Sequence, residues 1–105
     1  MQNKYKVKFT PIAENDMEEV YQYIFDTLHA PMAAENLIEK IEERTKRLAD
    51  MPYLGPLVDD ELLKAKGYRK LIISNYVALY TVSDINKLVT IMRVVYSASN
   101  YEKNI

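Results

Sequence analysis

Catalysis needs nucleophiles, proton-transfer groups or metal ligands, and this chain is sparing with all of them. His29 is its one histidine and it has no cysteine. Thiolate nucleophiles, disulfides, iron–sulfur clusters and Cys- or His-rich zinc sites are therefore excluded. A Ser-His-Asp hydrolase would need His29 beside Ser97 or Ser99, and neither serine sits in a nucleophile-elbow motif. The two glycines, Gly55 and Gly67, stand twelve positions apart, so neither a phosphate-cradling loop nor a dinucleotide fingerprint can be assembled. Glu14, Asp16, Glu18 and Glu19 do not all share one helical face and read as solvated surface rather than a cation site. No cofactor and no metal are expected. What remains for function is the lysines and arginines of the C-terminal half and the tyrosines among them.

The elements that position these residues follow from periodicity. Tyr5 to Thr10 alternates apolar and polar, predicting a strand that buries Tyr5, Val7 and Phe9 and turns Lys6 and Lys8 away. Thr10-Pro11 signals a helix start. Met17, Val20, Tyr21, Ile24 and Leu28 then line one face of a first helix, while Glu14, Asp16, Glu18, Glu19 and Asp26 make its opposite face acidic. His29 closes that helix, where a cation complements the dipole, and Ala30-Pro31 breaks it. Ala34, Leu37, Ile38, Ile41, Thr45 and Leu48 predict a second helix, antiparallel to the first. Asp50 to Pro56 reads as a loop, and Leu57 to Lys66 matches neither period. Tyr68 to Ile73, Tyr76 to Val82 and Leu88 to Tyr96 read as strands joined by turns too short for anything but antiparallel neighbours. Tyr68, Tyr76 and Tyr80 recur at alternating positions, as packing residues do. The expected fold is α+β, in the order β-α-α-β-β-β, an antiparallel sheet with a helical hairpin packed on one face.

Length and charge bound the rest. At 105 residues the chain allows one domain, residues 1–105, and 49% hydrophobic residues suffice for a core. No apolar run approaches the roughly 20 residues of a membrane helix, and no secretory signal opens the chain, so we expect a cytoplasmic protein with no membrane partner. The net charge of -1 hides an asymmetry: residues 1–10 carry +3, residues 11–63 carry -9 and residues 64–105 carry +5. An open sheet face would be electropositive and suited to polyanions or an acidic peptide.

Thr10-Pro11-Ile12-Ala13, then Leu48 to Gly55, then Gly67-Tyr68-Arg69-Lys70-Leu71, Asn75 to Tyr80 and Ile91 to Tyr96 occur in an order and spacing that resembles the RelE/ParE toxin superfamily over nearly the whole chain. That resemblance implies the toxin of a bacterial type II toxin–antitoxin module, also known as a plasmid stabilisation protein, neutralised by a cognate antitoxin. ParE-like members bind DNA gyrase and stall it; RelE-like members cut messenger RNA in the ribosome.

Metal-free RNA cleavage needs a base for the 2′-hydroxyl, cations for the phosphorane and an acid for the leaving oxygen. By resemblance the catalytic candidates are Arg69, Lys70 and Tyr101. The third-strand arginine of the RelE-like pattern falls on Val77, and the arginine after the last strand falls on Ser97, so two charge-stabilising cations are missing. Lys64, Lys66, Arg69 and Arg93 are the candidate target contacts. The chain is therefore read as a ParE-like gyrase inhibitor acting by binding. The alternatives are a ribosome-dependent mRNA endoribonuclease and an inactive member that acts only in complex with its antitoxin.

Overall fold

A computed structural model describes residues 4–99 and 101. Strand β1 is Lys6–Phe9, with Lys6 and Lys8 exposed and Val7 and Phe9 half-buried, as the alternation predicts. Thr10 then starts helix α1, Pro11–Gln22: its Oγ1 accepts the Ala13 N–H at 3.0 Å, and Pro11, lacking an N–H, loses nothing at the first position. The helix continues into a π turn, Tyr23–Thr27, in which the Leu28 N–H donates to the Tyr23 carbonyl. His29 follows at φ 53, the left-handed geometry in which helices commonly terminate. Helix α2, Pro31–Lys46, runs into a 3₁₀ turn at Arg47–Ala49; the two together bury Ala34, Ile41, Thr45 and Leu48. Among the described residues no helix is long and apolar enough to cross a membrane.

Strands β2 (Arg69–Ile73), β3 (Tyr76–Ser83) and β4 (Leu88–Tyr96) form the expected antiparallel meander. The sheet is nevertheless mixed, in the order β1-β4-β3-β2, because β1 pairs with β4 in parallel, Lys6 opposite Leu88 through Phe9 opposite Ile91. The expectation of a purely antiparallel sheet is corrected on that point. Short turns dictate antiparallel pairing within the meander, whereas β1 is separated from it by both helices and its direction depends on how they dock.

The helical hairpin covers one sheet face. Ala13, Ile41 and Leu48 pack there against Leu71, Ile73, Ala78, Tyr80, Val89, Ile91 and Val94. The other face carries a smaller cluster of Val58, Leu63, Val77 and Leu79, with Tyr68, Val95 and Tyr101 packed against it. Its cover includes helix α3, Glu61–Ala65, whose start is capped by Asp60 accepting the Leu63 N–H at 3.0 Å. This five-residue helix occupies the region that matched neither period. It is shorter than two turns, too short for a 3.6-residue repeat to show.

The chain passes from one face to the other around the edge of β2. The Lys70 N–H donates to the Pro56 carbonyl and the Val58 N–H to the Tyr68 carbonyl, both at 3.0 Å, so residues 56–58 act as a strand stub. A Cβ at Gly55 would lie 2.1 Å from the Lys70 carbonyl oxygen, so only glycine allows this backbone approach. At the opposite side, β4 outruns β1, which pairs only as far as Ile91. Side chains of the α1 segment serve the exposed backbone there: Thr10 Oγ1 donates to the Met92 carbonyl, and Asp16 accepts the Val94 N–H, each at 3.0 Å. Asp16 is therefore buried, 8% exposed, and not part of the solvated acidic face expected of the first helix. A free strand edge draws it inward, because a buried N–H must find an acceptor.

Candidate functional site

Strand alternation decides which candidate residues can meet. Arg69 lies opposite Tyr80 and Lys70 opposite Leu79 in the β2–β3 register, so their side chains leave the sheet on opposite faces. Arg69 emerges on the helix-covered face, past the end of the hairpin, under the Asp50–Pro56 loop. Its Nη1 donates to the Gly55 carbonyl at 2.7 Å, and its guanidinium carbon lies 4.7 Å from the centre of the Tyr53 ring. That is a cation–π stack on a half-exposed ring. Gly55 itself is fixed from below, its N–H donating to the buried Tyr80 hydroxyl at 2.9 Å.

Tyr53 is held in turn by Asp84 in the turn between β3 and β4. The Tyr53 hydroxyl donates to Asp84 Oδ1 at 2.5 Å, and the Tyr5 hydroxyl donates to the same oxygen at 2.6 Å. Donation to a carboxylate favours the protonated phenol, so the Tyr5 pKa is pushed up to about 12 and that of Tyr53 is also raised. The same two bonds hold the Asp84 carboxyl below its ordinary value. Lys87 Nζ lies 4.9 Å from the centre of the Tyr5 ring. The corner of the molecule above the end of β2 is thus a connected cluster of Arg69, Tyr53, Asp84, Tyr5 and Lys87.

The other candidates lie elsewhere. Lys70, on the far face, sits 3.9 Å from Asp59 in a loose, solvent-facing pair. Tyr101 packs against the Val58, Leu63, Val77 and Leu79 cluster on that same face. Lys64 is on α3 and Lys66 follows it, both exposed. Arg93 is committed: its Nε and Nη2 meet Asp16 Oδ2 and Oδ1 at 2.7 and 3.0 Å, a bidentate pair that raises its pKa. Arg69 is therefore brought together with neither Lys70 nor Tyr101. Among the described residues no three His, Cys, Asp or Glu side chains converge as a metal would need.

Between the hairpin and the far end of the sheet runs an apolar groove of about 710 Å³, lined by Tyr23, Ile24, Leu28, Leu37, Tyr76 and Tyr96 among others. Burial raises the Tyr76 pKa, and its ring meets Tyr96 edge-on at 5.6 Å. The long-range contacts made by Asp16, Tyr53, Asp84 and Tyr5 are ones that the sequence did not reveal. Asp84 lies 79 residues from Tyr5 and 31 from Tyr53, and no local signal spans such separations.

Residues 7–101 match the family model described as the ParE toxin of the type II toxin–antitoxin system, parDE. The chain belongs to the ParE toxin family. It is a type II toxin–antitoxin toxin of the wider RelE/ParE superfamily. Its fold is similar to that of a chain in the chromosomal ParDE system of P. aeruginosa, with TM-score 0.73 and 23% identity over 90% of this chain and 98% of that one. It is also similar to a chain in the RelBE2 toxin–antitoxin complex of Mycobacterium tuberculosis, with TM-score 0.61 and 23% identity over 89% of this chain and 98% of that one. No curated protein sequence matches the chain.

Proposed function

We propose that this ParE-family toxin acts in the cytoplasm by binding DNA gyrase and stalling it, without chemistry of its own. The observation that carries this reading is the separation of Arg69 from Lys70 and Tyr101 by the sheet. A metal-free nuclease needs its cations and its proton donor around one phosphate. Here the one arginine of the set faces away from the other two groups, and the tyrosine is engaged in packing. Binding, in contrast, needs only a positioned surface. Arg69 suits that role because a neutral carbonyl and an aromatic ring hold it, and among the described residues no carboxylate pairs with it. Arg69 is the proposed principal contact; Lys64 and Lys66, exposed on and beside α3, offer charge from the other face of the sheet, and Arg93 is spent on Asp16.

A cognate antitoxin is the proposed regulatory partner, and the apolar groove beside Tyr76 and Tyr96 is the surface on which its neutralising segment would lie. The deciding experiment adds antitoxin-free protein to gyrase with relaxed plasmid and, separately, to a ribosome-programmed message. Loss of supercoiling with intact message is expected. New 5′ ends in the message with supercoiling untouched would replace this reading with ribosome-dependent cleavage.

A further inference from the structure

We propose that Asp84 is a positioning residue for Arg69, acting through Tyr53, so that the β3–β4 turn sets the direction in which Arg69 presents its charge. The Asp50–Pro56 loop carries two groups that hold Arg69: the Gly55 carbonyl, which fixes one guanidinium nitrogen at 2.7 Å, and the Tyr53 ring, which fixes the plane. A single hydrogen bond leaves a guanidinium free to swing about it; a stacked ring removes that freedom. Gly55 is anchored independently of Asp84, through Tyr80 and through its close approach to β2. Tyr53 is not, since the residue is 48% exposed and the bond from its hydroxyl to Asp84 is what ties its tip to the rest of the fold. Tyr5 shares the same carboxylate oxygen, which brings the start of β1 into the arrangement and holds Asp84 between two donors. The chain of causes therefore runs from Asp84 to the Tyr53 hydroxyl, from the Tyr53 ring to the guanidinium plane, and from that plane to whatever anionic group Arg69 meets.

This inference rests on reading Arg69 as a target contact, but its structural half is measurable without any target. In the ¹⁵N-labelled protein the Arg69 Nε–Hε signal should be displaced by the ring current of Tyr53. Asp84→Ala should shift it toward the position seen in a Tyr53→Leu control, whereas Tyr5→Phe, which leaves the Tyr53 bond in place, should shift it little. Tyr53→Phe keeps the ring and removes only the hydroxyl; it should reproduce Asp84→Ala, and it serves if that variant fails to fold. Asp84→Asn retains an acceptor oxygen and should restore most of the native position. An unmoved Arg69 signal in folded Asp84→Ala or Tyr53→Phe protein overturns the proposal.

The functional half is a cycle read as gyrase affinity. Arg69→Ala should weaken binding about tenfold, the weight of one charged hydrogen bond. Asp84→Ala should cost part of that loss and add nothing to it in the double variant, because the two act in series. Full additivity overturns the positioning role. A moved NMR signal with gyrase affinity indifferent to Arg69→Ala instead removes the target-contact reading and leaves the positioning of Arg69 standing.

Discussion

Arg69 and Arg93 are both arginines on the sheet, and the structure treats them in opposite ways. Arg93 faces a carboxylate: Asp16 takes two of its nitrogens and also the Val94 N–H, and the cluster stitches α1 to the open edge of β4. Arg69 faces a carbonyl and a phenol ring, which fix its place, and among the described residues no carboxylate pairs with its charge. The contrast separates two uses of one side chain. A charge that holds the fold together is neutralised where it sits, and the charge proposed here to meet the target is positioned by neutral groups.

The comparison is broken most severely at Gly55. Gly55→Ala places a methyl group 2.1 Å from the Lys70 carbonyl oxygen, so the loop must leave β2. Calorimetry or denaturant titration should show a loss of about 3 kcal/mol. The hydrogen bond from Arg69 to the Gly55 carbonyl should break with it. On the Arg93 side, Asp16→Ala removes three hydrogen bonds and leaves an arginine whose side chain is only 27% exposed without its partner. Its water access softens the penalty, so unfolding should report about 2 kcal/mol. Asp16→Asn, which keeps an acceptor for Val94, should cost less. Thr10→Ala touches the same edge more lightly, deleting the helix cap and the bond to the Met92 carbonyl, for about 1 kcal/mol in the same assay.

The smallest effect concerns pH and belongs to the Arg69 side alone. The Asp84 carboxyl is depressed in the folded chain, so its contribution is complete above the ordinary carboxylate value near 4 and fades as pH falls through the lowered one. Tyr5 behaves in the opposite sense. Its contribution is complete below the ordinary phenol value near 10 and is lost as pH rises through about 12. Between those limits the corner should be indifferent to pH. Phenolate absorbance should show Tyr5 and Tyr53 among the late-ionising tyrosines, and Asp84→Ala should move both back toward the ordinary range.

Much of the fold is legible along the chain. The limits of β4, the Thr10-Pro11 helix start and the hairpin break at Pro31 all appear where the sequence puts them, because each depends on residues within a turn or two of one another. The candidate site is far less legible. Arg69 and Lys70 stand next to each other and look like one cationic group; only the knowledge that both lie within a strand, and which face each takes, separates them. Tyr53 and Asp84 carry no signal at all until the loop and the turn are folded against each other.

By itself, then, the sequence determined the two long helices and the four strands, the meander, the charge asymmetry and the absence of cysteine and nucleotide-loop chemistry, since these follow from local periodicity and from composition. Tertiary structure alone decided that β1 joins β4 in parallel, that Asp16 turns inward to serve an exposed strand edge, and that Arg69 stacks on a ring held by Asp84. Those outcomes depend on which segments dock side by side. Docking is settled by burying apolar faces and by finding partners for backbone groups across dozens of residues, quantities that no short window of sequence contains.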